Sequence, residues 1–269
     1  MTGLVDLHAH CSPDTRPRKM TAFELARAAG AAGMRALLIK NHDTPTAALA
    51  AAVRETRPGV EVFGGIALND AVGGLNPAAV ETALKMGARE VWMPTHCAAN
   101  ERRYRGRSGG LSILGEDGRI RPEVPEILRL AAAADVIVGT AHLSVAESRL
   151  LVKAAREAGV RKIVITHPEI VFVDMPVETQ RELAGPGVFF ERCYARSLFT
   201  VDWDGLARNI RALGVESTVL ATDLGQPDNP DPVSGLAEMC RRMLERGFRE
   251  PEVERMASLT PAALLNLEA

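Results

Sequence analysis

Leu4-Val5-Asp6-Leu7-His8-Ala9-His10 is a short apolar run that ends in two histidines one residue apart. The same form returns along the chain. Leu37-Leu38-Ile39-Lys40-Asn41-His42 and Val91-Trp92-Met93-Pro94-Thr95-His96 are followed by Val136-Ile137-Val138-Gly139-Thr140-Ala141-His142 and Ile163-Val164-Ile165-Thr166-His167. Val219-Leu220-Ala221-Thr222-Asp223 closes the series on an aspartate. With two further apolar runs these predict strands near 3–8, 35–40, 60–67, 88–93, 136–141, 161–166, 187–192 and 217–222. Ala- and Leu-rich segments near 21–32, 45–56, 76–86, 122–134, 144–158, 176–184, 202–213 and 233–246 read as helices between and after them. Such alternation implies parallel strands joined by crossover helices. The strands are continuously apolar, as expected where helices cover one face and side chains fill the other. Eight such units in 269 residues predict a single-domain α/β protein, a (β/α)8 barrel.

Local signals support this register. Thr21-Ala22-Phe23-Glu24 and Ser144-Val145-Ala146-Glu147 have the form of capping boxes, in which hydroxyl and carboxylate each satisfy a free backbone donor. Thr44-Pro45 and Thr260-Pro261 place proline where a helix begins and no amide partner is lost. Glycines such as Gly33 and Gly159 follow predicted helices shortly before a strand. Residues 97–121 are out of scale for a connection, read as a long loop without helical pattern, and follow the fourth strand, over the pocket mouth. Within them Leu111–Leu114 and Arg119–Arg121 can pair as a small hairpin across Gly115–Gly118. Residues 250–269 read as a helical extension closing the barrel.

Bulk properties remove several classes of function. A formal net charge of −2 gives no electrostatic case for nucleic acid or an anionic membrane surface. No apolar run approaches the ~20 residues of a membrane span, and a strand starting by about Gly3 leaves no room for a signal peptide. Cys11, Cys97, Cys193 and Cys240 have no metal-knuckle or disulfide-framework spacing and read as reduced thiols. The expectation is a cytoplasmic protein acting on a small molecule, without nucleic acid or membrane, and with a homo-oligomer left open.

In a parallel barrel the C-terminal ends of all strands open on one face. Histidines scattered over the chain therefore converge on one pocket, where imidazoles and a carboxylate are the donors a divalent ion needs. Residues two apart on a strand share a side, which groups Asp6, His8 and His10, and also Lys40 and His42. One H-x-H pair arises readily by chance. Five histidine-ended strands and Asp223 are hard to explain by packing, because buried imidazoles need partners.

The order H-x-H after strand one, His142 after strand five, His167 after strand six and Asp223 after strand eight resembles the amidohydrolase superfamily of metal-dependent barrel hydrolases. The resemblance runs from Asp6 to about Gln226. The opening Asp6-Leu7-His8-Ala9-His10-Cys11-Ser12-Pro13-Asp14, with Lys40-Asn41-His42-Asp43-Thr44, is also similar to the PHP phosphoesterases. The later PHP positions depart from that pattern, with Asn41 before His42 and Leu68-Asn69-Asp70 after strand three.

The amidohydrolase resemblance implies His8 and His10 as ligands of one metal and His142 and His167 as ligands of a second. Asp223 would bind the first metal and take a proton from the attacking water. Strand four ends in Thr95-His96, without the acid or lysine that bridges two ions in many members. Lys40, carboxylated by carbon dioxide as the resemblance implies, is then the substitute bridge, or else a barrel-rim lysine making an ion pair. Without a bridge, one ion is held by His8, His10 and Asp223 with one later histidine. Zinc is the first expectation for the metal, as one or two ions, with manganese or iron as alternatives.

Around this centre His42, His96, Arg102 and Arg103 are candidate substrate-binding residues, the arginines because guanidinium binds carboxylate or phosphate bidentately. Asp6 is expected to orient an imidazole through its free N–H. Glu191 is read either as substrate-binding or as paired with Arg192 or Arg196. The expected activity is hydrolysis of an amide, ester or lactone bond of a small molecule. PHP-like phosphoester hydrolysis, metal-dependent decarboxylation and a non-catalytic metal-binding barrel stand as the alternatives.

Overall fold

Strand alternation and crossover helices are realised as a barrel. A computed structural model describes residues 2–56, 58–194 and 202–267; Arg196, named above, lies outside them. Strands β1 (Val5–His10), β2 (Ala36–Lys40), β3 (Glu61–Ala67) and β4 (Glu90–Trp92) lie side by side in chain order. They continue into β5 (Ile137–Gly139), β6 (Ile163–Ile165), β7 (Val188–Cys193) and β8 (Thr218–Ala221), every neighbouring pair parallel. The ring closes between β1 and the chain just past β8. There the Asp223 N–H donates to His8 O at 2.7 Å and the His10 N–H to Leu224 O at 2.7 Å.

Asp6 helps make this closure. Its carboxylate accepts the backbone N–H of His8 (3.0 Å), the backbone N–H of Thr222 (3.0 Å) and the Thr222 hydroxyl (2.6 Å). The expected bond from Asp6 to an imidazole is therefore corrected: its acceptor sites are taken up by β1 and β8. The register of β1 against β2 shifts between Asp6 and Ala9.

The first three helices are α1 (Ala22–Ala31), α2 (Ala47–Glu55) and α3 (Pro77–Lys85). After β4 come α4 (Ala99–Tyr104) and α5 (Glu123–Ala134), and then α6 (Val145–Glu157), α7 (Val177–Leu183), α8 (Trp203–Leu213) and α9 (Pro232–Glu245) alternate with the remaining strands. Leu25, Ala29, Ala50 and Val53 of α1 and α2 bury in one cluster with Leu37, Ile39 and Val62 of β2 and β3. Each such fully buried Leu, Ile or Val contributes roughly 1.5–3 kcal/mol. Both capping boxes form: Thr21 and Glu24 exchange bonds of 2.8 and 3.2 Å, and Ser144 and Glu147 exchange bonds of 3.0 and 3.3 Å.

Two local expectations are corrected. Helix α2 begins at Ala47 rather than at Pro45, because the Thr46 hydroxyl is used elsewhere: it donates to Ile39 O at 2.7 Å and accepts the Gly65 N–H at 2.8 Å. Residues 97–121 are not free of helix, since α4 lies at their start. Beyond α4, Leu114 and Ile120 make a single antiparallel bridge, and the Glu147 carboxylate holds Ser112 and the Ile113 N–H. The C-terminal segment is α10 (Glu250–Glu254), a π-helical turn (Arg255–Leu259) and α11 (Thr260–Leu264). It packs against β1 and β8, with the Ser258 hydroxyl on Gly3 O at 2.6 Å, at the end of the barrel opposite the histidines. No described helix is long and apolar enough to cross a membrane.

Candidate functional site

All six histidines gather at the C-terminal ends of the strands. Their rings form a closed circuit. His8 neighbours His10 at 5.3 Å between centroids, His10 neighbours His42 at 4.8 Å, and His42 neighbours His96 at 3.9 Å. His96 then neighbours His142 at 5.6 Å, His142 neighbours His167 at 5.0 Å, and His167 returns to His8 at 5.9 Å. The turns that deliver His142, His167 and Asp223 are strained. Ala141, His167 and Asp223, just past β5, β6 and β8, have φ of 51°, 30° and 52°. Non-glycine residues in that region cost about 1–3 kcal/mol each and cluster where function demands the geometry. Gly225, two residues after Asp223, could carry no side chain: a Cβ there would lie 2.0 Å from His10 O.

Most imidazoles are held by one nitrogen. His8 Nδ1 lies 3.1 Å from Glu191 Oε2, His10 Nδ1 3.0 Å from Lys40 O, His42 Nδ1 2.9 Å from Thr95 Oγ1, and His142 Nδ1 2.5 Å from Glu101 Oε2. This is how ligating histidines are fixed in tautomer and direction. On the other side, Asp223 Oδ1 is 3.1 Å from both His8 Nε2 and His10 Nε2. Lys40 Nζ is also 3.1 Å from His8 Nε2 and lies over the Trp92 ring. His167 is buried, and neither of its ring nitrogens has a hydrogen-bond partner.

Burial lowers the pKa of His10 to about 3, of His167 to about 3 and of His142 to about 4, so all three are neutral at neutral pH. Burial also lowers His8, as does Lys40, but the Asp223 and Glu191 carboxylates outweigh both and raise it to about 9. Burial lowers Lys40, although three carboxylates oppose it. Burial works to raise Asp223, and the facing His8 and His10 hold it well below the ordinary carboxylate range. Beneath the site Glu90 is raised well above that range by burial and by the Glu191 charge, and neither of its oxygens has a partner.

One consequence bears on metal binding. Neutral His10 has a single N–H for two acceptors, Lys40 O and Asp223 Oδ1. One contact of about 3 Å is therefore lone pair against lone pair, and a cation at that contact removes the conflict. The buried, unpartnered His167 makes the same demand, since buried polar groups are normally paired. Among the described residues, ligand atoms lie within 4.8 Å of one another in three groups: His8, His10 and Asp223; His8, Glu191 and Cys193; and His96, Glu101 and His142.

A cavity of about 300 Å³ opens beside these residues, lined by His10, His42, His96, His142 and Asp223, with Phe172 and Ile170 as an apolar wall. The structure thus brings His8, His10, Lys40, His142, His167 and Asp223 together, with His42 and His96 at the cavity. It does not bring Arg102 and Arg103 there. The Arg102 guanidinium donates to Ser108 O at 3.1 Å, Arg103 is exposed on α4, and the lining arginines are Arg16, Arg18 and Arg105. Glu191 pairs with His8, and Arg192 turns instead to Glu169 and Gln180.

Sequence reasoning missed Glu101, which reaches His142 and lies 3.3 Å from His96 Nδ1. Its spacing of four from Arg105, with which it pairs, marks a helical turn but not the reach to His142.

Residues 3–191 match a family model described as "Family of unknown function (DUF6282)". No curated protein matches the sequence. Among solved structures the chain is similar to an amidohydrolase from Pseudomonas aeruginosa, at 11% identity and a TM-score of 0.64 over 98% of this chain and 96% of that one. It is similar to a 2,6-dihydroxybenzoate decarboxylase at 12% identity and a TM-score of 0.59, over 99% and 100% of the two chains. A β-aspartyl dipeptidase from Fervidobacterium islandicum-AW-1 gives 14% identity and a TM-score of 0.67, over 98% of this chain and 72% of that one. These neighbours are amidohydrolase-superfamily enzymes, and at such identities the likeness is one of fold.

Proposed function

We propose that this chain, which belongs to the family of unknown function DUF6282, is a metal-dependent hydrolase that cleaves an amide, ester or lactone bond of a small molecule. The observation that carries the reading is the convergence of His8, His10 and Asp223, whose ligand atoms lie within 4.8 Å of one another, with His10 and Asp223 lining the cavity. His8, His10 and Asp223 would hold one divalent ion, zinc by preference. The Nε2 atom of His142 and a nitrogen of the unpartnered His167 would serve a second. Lys40, whose Nζ lies 3.1 Å from His8 Nε2, is the bridging candidate once carboxylated.

When bound, a divalent ion supplies a Lewis acid that polarises a carbonyl oxygen and brings the pKa of water to about 7. The protein's own part is positional. Glu191, Lys40 O and Glu101 fix three imidazoles by Nδ1, which leaves Nε2 inward. Asp223, held ionised, accepts the proton of the attacking water and returns it to the leaving group. Phe172 and Ile170 keep water from one side of the cavity.

Decarboxylation is the second reading, favoured by a three-residue set that needs only one ion and by the decarboxylase among the structural neighbours. The test is a panel of chromogenic amides, esters and lactones, a phosphate ester and an aromatic carboxylic acid, assayed with zinc-, manganese- and iron-loaded protein. Hydrolysis of the first group, lost on chelation and restored by metal, is expected. Phosphate release alone, or carbon dioxide release alone, overturns the reading.

A prediction follows for Glu101. Glu101→Gln keeps the shape and removes the charge that orients His142, so kcat/KM is expected to fall roughly 10- to 100-fold, the usual effect of losing a ligand's orienting partner. Comparison of kcat/KM with the thermal unfolding midpoint separates this from a general loss of fold.

A further inference from the structure

We infer that Arg18, in the loop between β1 and α1, is a binding residue for a carboxylate on the substrate. The side chain of Arg18 is 4% exposed, and its Nε donates to Asp14 Oδ2 at 2.8 Å. Its Nη2 is buried and has no hydrogen-bond partner. Arg18 lines the same cavity as His10 and Asp223. The two other lining arginines differ from it. Arg16 is 42% exposed and held by Asp43, and Arg105 is 46% exposed and held by Glu101. Of these three lining arginines only Arg18 combines burial with an N–H group left without an acceptor, an arrangement that an anionic ligand in the cavity would relieve.

The chemistry of that ligand follows from its surroundings. The Nη edge of a guanidinium matches a planar two-oxygen anion. Asp14 already neutralises Arg18, and the cavity lining carries Glu101, Asp223 and Asp228 against its three arginines. That lining has no net positive charge, so a carboxylate monoanion meets less repulsion there than a phosphate dianion. Ile170 and Phe172 receive a hydrocarbon body. With the cavity at about 300 Å³, the carboxylate and the bond to be cut belong to one small molecule. That last step rests on the hydrolase reading, and the anion site itself does not.

The experiment is calorimetric binding of benzoate, benzamide and inorganic phosphate to the zinc-loaded protein and to zinc-loaded Arg18→Met and Arg18→Lys. Wild type is expected to bind benzoate at least about tenfold more tightly than benzamide or phosphate, as a charge-assisted bidentate pair should. Arg18→Met should lose that preference with zinc content unchanged, and Arg18→Lys, a single-point donor, should keep only part of it. Equal benzoate affinity in wild type and Arg18→Met overturns the inference, as does tighter binding of phosphate than of benzoate. Should Arg18→Met fail to fold, equal affinity of wild type for benzoate and benzamide, or undiminished benzoate binding by Arg18→Lys, overturns it too. Because binding is read without turnover, absence of hydrolysis counts against the hydrolase reading and leaves this result standing.

Discussion

Asp223→Asn is expected to lower turnover about 10²- to 10⁴-fold, the range of a positioned general base, while zinc stays bound. The substitution is the gentlest available at this position. Asparagine tolerates the left-handed φ of 52° that Asp223 adopts, and it keeps an oxygen where Oδ1 faces His8 and His10. It cannot accept a proton. The two imidazoles keep the carboxylate ionised despite burial, so it is open to a proton. The measurement pairs kcat on the best substrate of the panel with metal content by elemental mass spectrometry. Loss of turnover with metal retained assigns Asp223 the proton transfer. Loss of both makes it a ligand first. Retention of both removes Asp223 from the proton transfer and leaves that role to another group at the cavity.

The parts of the fold legible in the sequence are those with a local cause. Each apolar run found its place as a strand because a buried parallel strand needs only continuous hydrophobicity. Thr21 and Ser144 began their helices because both halves of a capping box lie within four residues. Pro45 misled for the opposite reason. The start of α2 is decided by Thr46 bonding to Ile39 and Gly65 on β2 and β3, and a Cβ on Gly64 would lie 2.4 Å from the Thr46 backbone.

The candidate site divides in the same way. His8, His10, His142, His167 and Asp223 could be grouped because strand ends of a parallel barrel share a face. Their partners could not. Glu101 comes from a short helix inside a glycine-rich connection, and Asp6 bonds to Thr222, 216 residues away, across the closure of the barrel. The arginines at the cavity depended on loop paths, and no periodicity reports a loop path. Arg16 and Arg18 come from the β1–α1 loop, while Arg102 and Arg103, closer in sequence to a long loop, turn elsewhere.

His8→Ala/His10→Ala is expected to reduce the metal content from between one and two equivalents to less than about a tenth of an equivalent, since it removes two of three donors from the first ligand set. The double substitution also leaves Glu191, fully buried, without the imidazole it faces. Breaking such a buried pair costs about 3–5 kcal/mol, so metal loss has to be distinguished from unfolding. Single His10→Ala serves that purpose, because the Nδ1 partner it abandons is only the Lys40 carbonyl. His42→Ala is the matching control. Its ring stacks on His10 at 4.8 Å, yet His42 enters none of the three close ligand groups among the described residues, and metal should be retained.

Elemental mass spectrometry with circular dichroism on the four proteins decides among the outcomes. Two equivalents in wild type, with both lost in the double variant, make Lys40→Ala the next test for a bridge. One equivalent, lost in His10→Ala and kept in His42→Ala, fits the mononuclear set and brings decarboxylation level with hydrolysis. A wild type that binds no metal after reconstitution would leave the His10 contact with Asp223 to be met by protonation of His10, against its burial, and would end the hydrolase reading.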